Sequence, residues 1–112
     1  MNEKVYNKLV RDNIPEIIIN DNEEPITRIL TDEEYKKELE RKLFEEYNEV
    51  INSKTSKERI EELADLLEVM ISLSNIEGKT LDDIIETANV KRLKKGGFNK
   101  KIYLEKTIKK GE

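Results

Sequence analysis

Residues 31–78 read TDEEYKKELERKLFEEYNEVINSKTSKERIEELADLLEVMISLSNIEG, and they carry the clearest helical pattern of the chain. This stretch has no proline and no glycine before its last residue, and Glu, Lys, Leu and Ile dominate it, which favours helix. Thr31 and Thr55 each begin a capping box with a glutamate three residues later. The pattern predicts one helix to about Asn52 and a second helix that ends near Gly78.

Shorter elements lie on either side of this stretch. Residues 1–30 predict an N-terminal arm with a short helix over about 14–19, because Pro15 suits a first helical turn. Thr80 begins a weaker capping pattern, and a further helix is predicted to end before Gly96-Gly97.

The predicted fold class is all-α. Because short loops join the long helices, we expect an antiparallel helical bundle, and we expect residues 26–30 to form a small β pairing with residues 101–106. The chain has no repeat, low-complexity tract or linker. It is therefore interpreted as a single domain over residues 1–112.

The composition limits the chemistry that is available. Charged residues make up 41% of the chain, hydrophobic residues 36%, and there is neither cysteine nor histidine. Disulfides, thiolate chemistry and the usual zinc ligands are therefore excluded, and any metal must be a hard cation such as Mg²⁺, Mn²⁺ or Ca²⁺. No apolar run approaches about 20 residues and no signal-peptide pattern opens the chain, so a cytoplasmic protein with no membrane partner is expected.

Charge is unevenly distributed along the chain. Residues 32–68 hold 13 acids and 7 bases, whereas residues 91–110 hold 9 bases and 1 acid. A metal and a polyanion that share one site would suit this pattern. A solvated basic tail on an acidic helical protein fits the charges equally well.

Four carboxylates lie at the edge of apolar helix faces. At about 100° per residue, Glu62 falls between the apolar Val69 and Leu73, and Asp65 borders the same face. Glu46 and Glu49 repeat this arrangement on the preceding helix, whereas Glu61 and Glu68 point to the polar side.

Antiparallel packing of the two helices would bring these four acids together. A partly buried cluster of like charges is costly unless a cation compensates it, and Mg²⁺ prefers carboxylate oxygens. The alternative is an ordinary helical hairpin in which Lys42 and Arg59 pair the acids.

Written out, the acids read Glu45-Glu46-x-x-Glu49, then twelve residues, then Glu62-x-x-Asp65. This pattern resembles the signature of the all-α nucleoside triphosphate pyrophosphohydrolases, the MazG-like superfamily. Residues 6–18 and Gly96-Gly97-Phe98 resemble its phosphoribosyl-ATP pyrophosphohydrolase-like subgroup.

The resemblance implies a helical bundle that is stable only as a homodimer or homotetramer. It also implies that Glu46, Glu49, Glu62 and Asp65 hold Mg²⁺, or Mn²⁺ in its place, and that Glu45 supports the site or orients a water. An apolar arc of about 220° on the second long helix indicates oligomerisation independently, because one neighbouring helix cannot cover it.

The function expected from these features is Mg²⁺-dependent hydrolysis of a nucleoside triphosphate, including non-canonical ones, to the monophosphate and pyrophosphate. A metal-activated water would attack the α-phosphorus. With no histidine present, Glu49 or Glu45 would take the proton. The basic residues expected to contact the phosphates are Lys8, Arg11, Lys91, Arg92, Lys94 and Lys95.

Other classes of protein are the alternatives. A non-catalytic helical interaction module would explain an oligomeric helix but not the position of Glu62. A phosphoribosyl-ATP pyrophosphohydrolase proper should carry a histidine after the second acidic motif, and similar sequences often have arginine in place of Lys95. Nucleic-acid binding is disfavoured because the basic tail has only Phe98 and Tyr103 for stacking.

Overall fold

The computed structural model describes residues 2–111, and these form four helices and no strand. The helices are α1 (Ile14–Asn20), α2 (Asp32–Asn52), α3 (Ser56–Ile76) and α4 (Leu81–Lys95). The all-α prediction is confirmed. By its internal contacts the chain divides into two compact units, Met1–Leu81 and Asp82–Glu112, and the single-domain interpretation stays a prediction.

The start of α2 is fixed by side chains close in sequence. The Thr31 hydroxyl accepts a hydrogen bond from the Glu34 backbone N–H at 3.2 Å, and the Glu34 carboxylate accepts one from the Thr31 N–H at 3.0 Å. The predicted capping box is therefore present. Arg28 donates to both oxygens of the same carboxylate, at 3.2 and 3.1 Å, and this anchors the preceding segment to the helix.

The ends of α3 also follow from local chemistry. Thr55 caps the Glu58 N–H at 3.1 Å, while the Glu58 carboxylate accepts from Lys54 N–H at 2.8 Å rather than from Thr55. At the other end Gly78 adopts a φ of 74°, a left-handed conformation that costs glycine little. Gly78 N–H donates to Asn75 and the following N–H donates to Ser74, which is a Schellman motif.

Helices α2 and α3 pack against each other as a hairpin joined by three residues, 53–55. The buried hydrophobic side chains among the described residues are Leu39 and Val50 of α2 and Val69 of α3. Ser74 is also buried, and its hydroxyl donates to the Met70 carbonyl at 2.7 Å, so its polar group is satisfied. A core this small leaves many apolar side chains on the surface.

The N-terminal arm precedes the hairpin in the first unit. Residues 2–13 have no helix or strand, and α1 follows with Pro15 in its first turn, as predicted. The first-unit residues Asn7 and Asn22 have positive φ angles of 47° and 63°. Asparagine adopts this region more readily than most residues.

The second unit contains α4 from its second residue onward, followed by an irregular segment over residues 96–111. The apolar side chains of that segment are largely exposed, including Phe98 and Tyr103. No helix of the described chain is both long enough and apolar enough to cross a bilayer.

The predicted β pairing of residues 26–30 with residues 101–106 is wrong, because neither segment is a strand in the described structure. Apolar and polar residues do not alternate regularly over residues 26–30, because Arg28 would share a strand face with the apolar Ile26. In the structure Arg28 donates a hydrogen bond to Glu34. In the other segment the apolar residues are consecutive rather than alternating, and all are exposed. Neither segment therefore presents a single apolar face to a sheet.

Candidate functional site

Three of the predicted acidic residues meet on the hairpin. Glu46 comes from α2, and Glu62 and Asp65 come from α3. One carboxylate oxygen from each lies within 4.8 Å of the others, and all three residues are half-buried. Glu62 and Asp65 are three residues apart, so both lie on one side of α3. The packing of α2 against α3 brings Glu46 beside them.

The site is electrostatically unfavourable for its own carboxylates. The pKa of Glu46 is raised, first by burial and then by the negative charge of Asp65, while the Lys42 ammonium opposes the shift. The pKa of Glu62 is also raised, first by burial and then by the charges of Glu49 and Asp65. Both acids therefore gain from a nearby positive charge.

The three donors fit a small divalent cation. In octahedral Mg²⁺ coordination at about 2.1 Å, neighbouring ligand oxygens are about 3 Å apart and opposite ones about 4.2 Å apart. The oxygens here lie within 4.8 Å of one another, so side-chain shifts of about 1 Å bring them into this range. Three carboxylates with no nitrogen or sulfur are donors of the type that hard cations such as Mg²⁺, Mn²⁺ or Ca²⁺ prefer.

The sequence left open an ordinary hairpin in which Lys42 and Arg59 pair the four acids, and the structure shows a different arrangement. Lys42 contacts Glu45 at 3.4 Å, and Arg59 forms no ion pair with any residue of the described chain. Asp65 is paired instead by Arg11, at 2.7 Å. The Arg11–Asp65 contact joins residues 54 positions apart, and no spacing or periodicity in the sequence indicates it.

A cavity of about 230 Å³ lies beside the acids. Its walls come from residues 9–12 of the N-terminal arm and from α2 and α3. The lining residues are Leu9, Val10, Arg11, Asp12, Tyr35, Leu39, Lys42, Glu46, Asp65, Glu68, Val69 and Ser72. Four acids, of which Glu46 and Asp65 belong to the cluster, and two cationic side chains therefore line one space.

The other two acids of the predicted motif lie outside the cluster. Glu49 is exposed, and its carboxylate does not join the group of three, although its charge contributes to the raised pKa of Glu62. Glu45 is half-buried and is held by Lys42. The structure thus brings together three of the four predicted ligands.

The remaining predicted phosphate contacts are dispersed. Lys8 is exposed, with its amine 5.7 Å from the centre of the Tyr6 ring. Lys91, Arg92, Lys94 and Lys95 are exposed on α4, in the second compact unit. Arg92, Lys94 and Lys95 lie in the last turn of α4, where cations complement the helix dipole, and this gives these three side chains a structural reason to be there.

Comparison of the chain with family models, with curated proteins and with solved structures finds no match. Function is therefore inferred from the side chains of the site and from the sequence resemblance.

Proposed function

We propose that this protein is a Mg²⁺-dependent hydrolase of the MazG-like superfamily that cleaves nucleoside triphosphates to the monophosphate and pyrophosphate. The observation that carries the proposal is the meeting of Glu46, Glu62 and Asp65, together with a cavity that Glu46 and Asp65 line alongside Arg11 and Lys42. Carboxylates for a metal and cations for an anion within one cavity suit a metal-bound polyphosphate.

Glu46, Glu62 and Asp65 would hold the metal, with Glu49 joining them if its side chain turns inward. When bound, Mg²⁺ supplies a lowered pKa for a water and offsets charge on the leaving pyrophosphate. The burial that raises the pKa of Glu46 and Glu62 also strengthens their attraction to a cation.

The cavity dimensions favour the phosphates as the group that is enclosed. A volume of about 230 Å³ is smaller than the pockets of roughly 300–1,000 Å³ that enclose drug-sized ligands. Arg11 and Lys42 line this cavity, and guanidinium and ammonium groups both bind phosphate oxygens. The nucleoside would then extend beyond the cavity onto another surface.

Glu49 is the better candidate for the base that accepts a proton from the attacking water. It is exposed next to Glu62 and forms no ion pair with a described residue. Glu45 contacts the Lys42 ammonium at 3.4 Å, so its carboxylate is already engaged by a cation.

We also propose that the protein is a homodimer or homotetramer. Four apolar side chains of α3, within about 80° of one another around the helix, remain exposed in the single chain. Their exposed fractions are 65% for Ile60, 47% for Leu63, 41% for Leu67 and 40% for Met70. A second copy would bury this stripe, which lies on the opposite edge of the packed face from Asp65.

The enzymatic proposal is tested by incubating the protein with normal and damaged nucleoside triphosphates, with Mg²⁺ or with EDTA, and assaying pyrophosphate. Glu62→Gln should abolish Mg²⁺-dependent release, because it removes a ligand charge. The matched control is Glu61→Gln, the same change at the adjacent exposed acid, which should retain activity. No release from any triphosphate would refute the activity, and release that survives Glu62→Gln would refute the site.

A further inference from the structure

We propose that Arg11 exchanges partners during the cycle: it pairs with Asp65 when no divalent cation is bound and moves to the phosphates once a cation takes Asp65. The N-terminal arm thereby acts as a clamp that responds first to the metal and then to the nucleotide. This inference rests on the proposed function, because it requires both the metal and the phosphate ligand.

Arg11 is the side chain through which the irregular arm forms an ion pair with the hairpin. Its Nη2 atom donates to Oδ1 of Asp65 at 2.7 Å, and this is the one ion pair between residues 2–13 and the described helices. Leu9 and Val10, next to it, line the cavity. The arm therefore lies over the cavity, and the ion pair links it to a residue of the acidic cluster.

The guanidinium and a divalent cation compete for the same carboxylate. Asp65 supplies an oxygen to the group within 4.8 Å of Glu46 and Glu62, so a cation there would lie within a few ångströms of the Arg11 charge. Two cations at that separation repel each other. The existing pair is largely exposed, 58% for Arg11 and 45% for Asp65, and exposed ion pairs are weak enough to be displaced.

A displaced guanidinium would stay close to the cavity. Leu9 and Val10 line the same cavity, so the neighbouring backbone would limit how far Arg11 travels. A guanidinium binds phosphate through two parallel N–H donors, and Lys42 lines the same cavity as a second cation. Loss of Arg11 should therefore have opposite effects on the two ligands: tighter binding of the metal alone and weaker binding of the nucleotide.

The experiment uses Mn²⁺ as the metal probe and measures free Mn²⁺ by electron paramagnetic resonance. Arg11→Gln should bind Mn²⁺ about two- to fivefold more tightly than the unmodified chain, the range expected from losing one exposed ion pair. The matched control is Arg28→Gln, which removes another exposed arginine that pairs with Glu34 outside the cavity and should leave Mn²⁺ affinity unchanged.

Cleavage of residues 2–13 by chymotrypsin, followed by mass spectrometry, is the second readout, because Tyr6 and Leu9 are cleavable positions in this segment. In the unmodified chain, cleavage should become faster on addition of Mn²⁺ and slower again when a non-hydrolysable nucleoside triphosphate is added. In Arg11→Gln, cleavage should already be fast and should not slow with nucleotide. Arg11→Lys keeps the charge without the paired donors, so it should restore normal Mn²⁺ affinity but not nucleotide-dependent protection.

The outcomes separate this inference from the proposed function. If the unmodified chain binds no Mn²⁺ and releases no pyrophosphate, the proposed function is refuted, and the change of partner by Arg11 is refuted with it. If Mn²⁺ binds and pyrophosphate is released, but chymotrypsin cleaves residues 2–13 at the same rate with and without Mn²⁺, the proposed function stands and the change of partner by Arg11 is overturned. Equal Mn²⁺ affinity for Arg11→Gln and the unmodified chain overturns it as well.

Discussion

Without metal, the Glu46→Gln variant should be more stable than the unmodified chain. With Mg²⁺ present, the order should reverse and the variant should be the less stable of the two. Glutamine keeps the shape of the side chain and removes its charge. Burial and the negative charge of Asp65 raise the pKa of Glu46, and the opposing effect of the Lys42 ammonium is smaller, so folding disfavours the charged form of this side chain. An uncharged side chain at this position should therefore favour folding.

The magnitude follows from the distance between the carboxylates. Oxygens of Glu46 and Asp65 lie within 4.8 Å, and two unit charges at that distance repel by about 0.9 kcal/mol at the dielectric constant of bulk water. This solvent-screened value is appropriate because Asp65 is 45% exposed. We expect a gain of about 1 kcal/mol, which corresponds to roughly 3–6 °C in Tm for a chain of this size.

The assay is thermal unfolding at fixed protein concentration and low salt, with EDTA or with Mg²⁺. With Mg²⁺ at about 100 times its Kd, the free energy of unfolding of the unmodified chain should rise by about 2.7 kcal/mol, which makes it more stable than the variant. Glu45→Gln is the matched control, since Glu45 is the neighbouring acid and has an attractive partner, Lys42. A metal-free Glu46→Gln protein that is less stable than the unmodified chain would refute the reasoning, because Glu46 would then be stabilised rather than strained by its neighbours.

Further outcomes follow from the same structure. Thr31→Ala should cost about 1 kcal/mol of unfolding free energy in urea titrations, because it removes the cap of α2. The pKa of Glu34 is lowered from 4.5 to about 2, so its interactions stabilise the fold above about pH 4.5 and are lost as pH falls toward 2; Glu34→Gln should abolish this part of the acid sensitivity. The pKa values of Glu46 and Glu62 are raised, so the stability that their neutral forms contribute is fully present below about pH 4.5 and is lost as pH rises through the raised pKa values. Without metal, the double glutamine variant should therefore lose less stability than the unmodified chain between about pH 4.5 and 7. Leu67→Glu should lower the molecular mass measured by sedimentation equilibrium, and an unchanged mass would exclude this stripe as the contact between copies.

The helix boundaries were predictable because neighbouring residues determine them. Thr31, Thr55 and Gly78 act through hydrogen bonds to groups within five residues, and the structure has α2 and α3 where those residues predict them. The strand prediction failed because a strand depends on a distant partner. The five residues 26–30 are too short and too irregular in pattern to specify one.

The candidate site was predictable in part for the same reason. A helical projection gives the direction of each acid, so it identified Glu46, Glu62 and Asp65 as acids at the edge of the apolar faces. It does not give the reach of a side chain into the hairpin, and Glu49 on the same edge remains outside the cluster. The Arg11–Asp65 contact depends on where an irregular arm lies, and residues 2–13 have no periodicity from which that could be read.

The register of the hairpin explains why the acids can stay together without a cation. Leu39 and Val69 are each fifteen residues from Lys54 in the connection, and Glu46 and Glu62 are each eight residues from it. In an antiparallel pair, residues equally far from the connection lie at the same level, so the register that buries Leu39 and Val69 also sets Glu46 level with Glu62, about 10 Å away along the helices.

Separating the acids by one helical turn would require the helices to slide and would expose both core residues. Burial of an aliphatic side chain contributes about 1.5–3 kcal/mol, more than the roughly 0.9 kcal/mol of repulsion between Glu46 and Asp65. The core of the hairpin therefore holds the carboxylates together against their charge. A cation that binds there would find its ligands already assembled, and the repulsion that it relieves would add to its affinity.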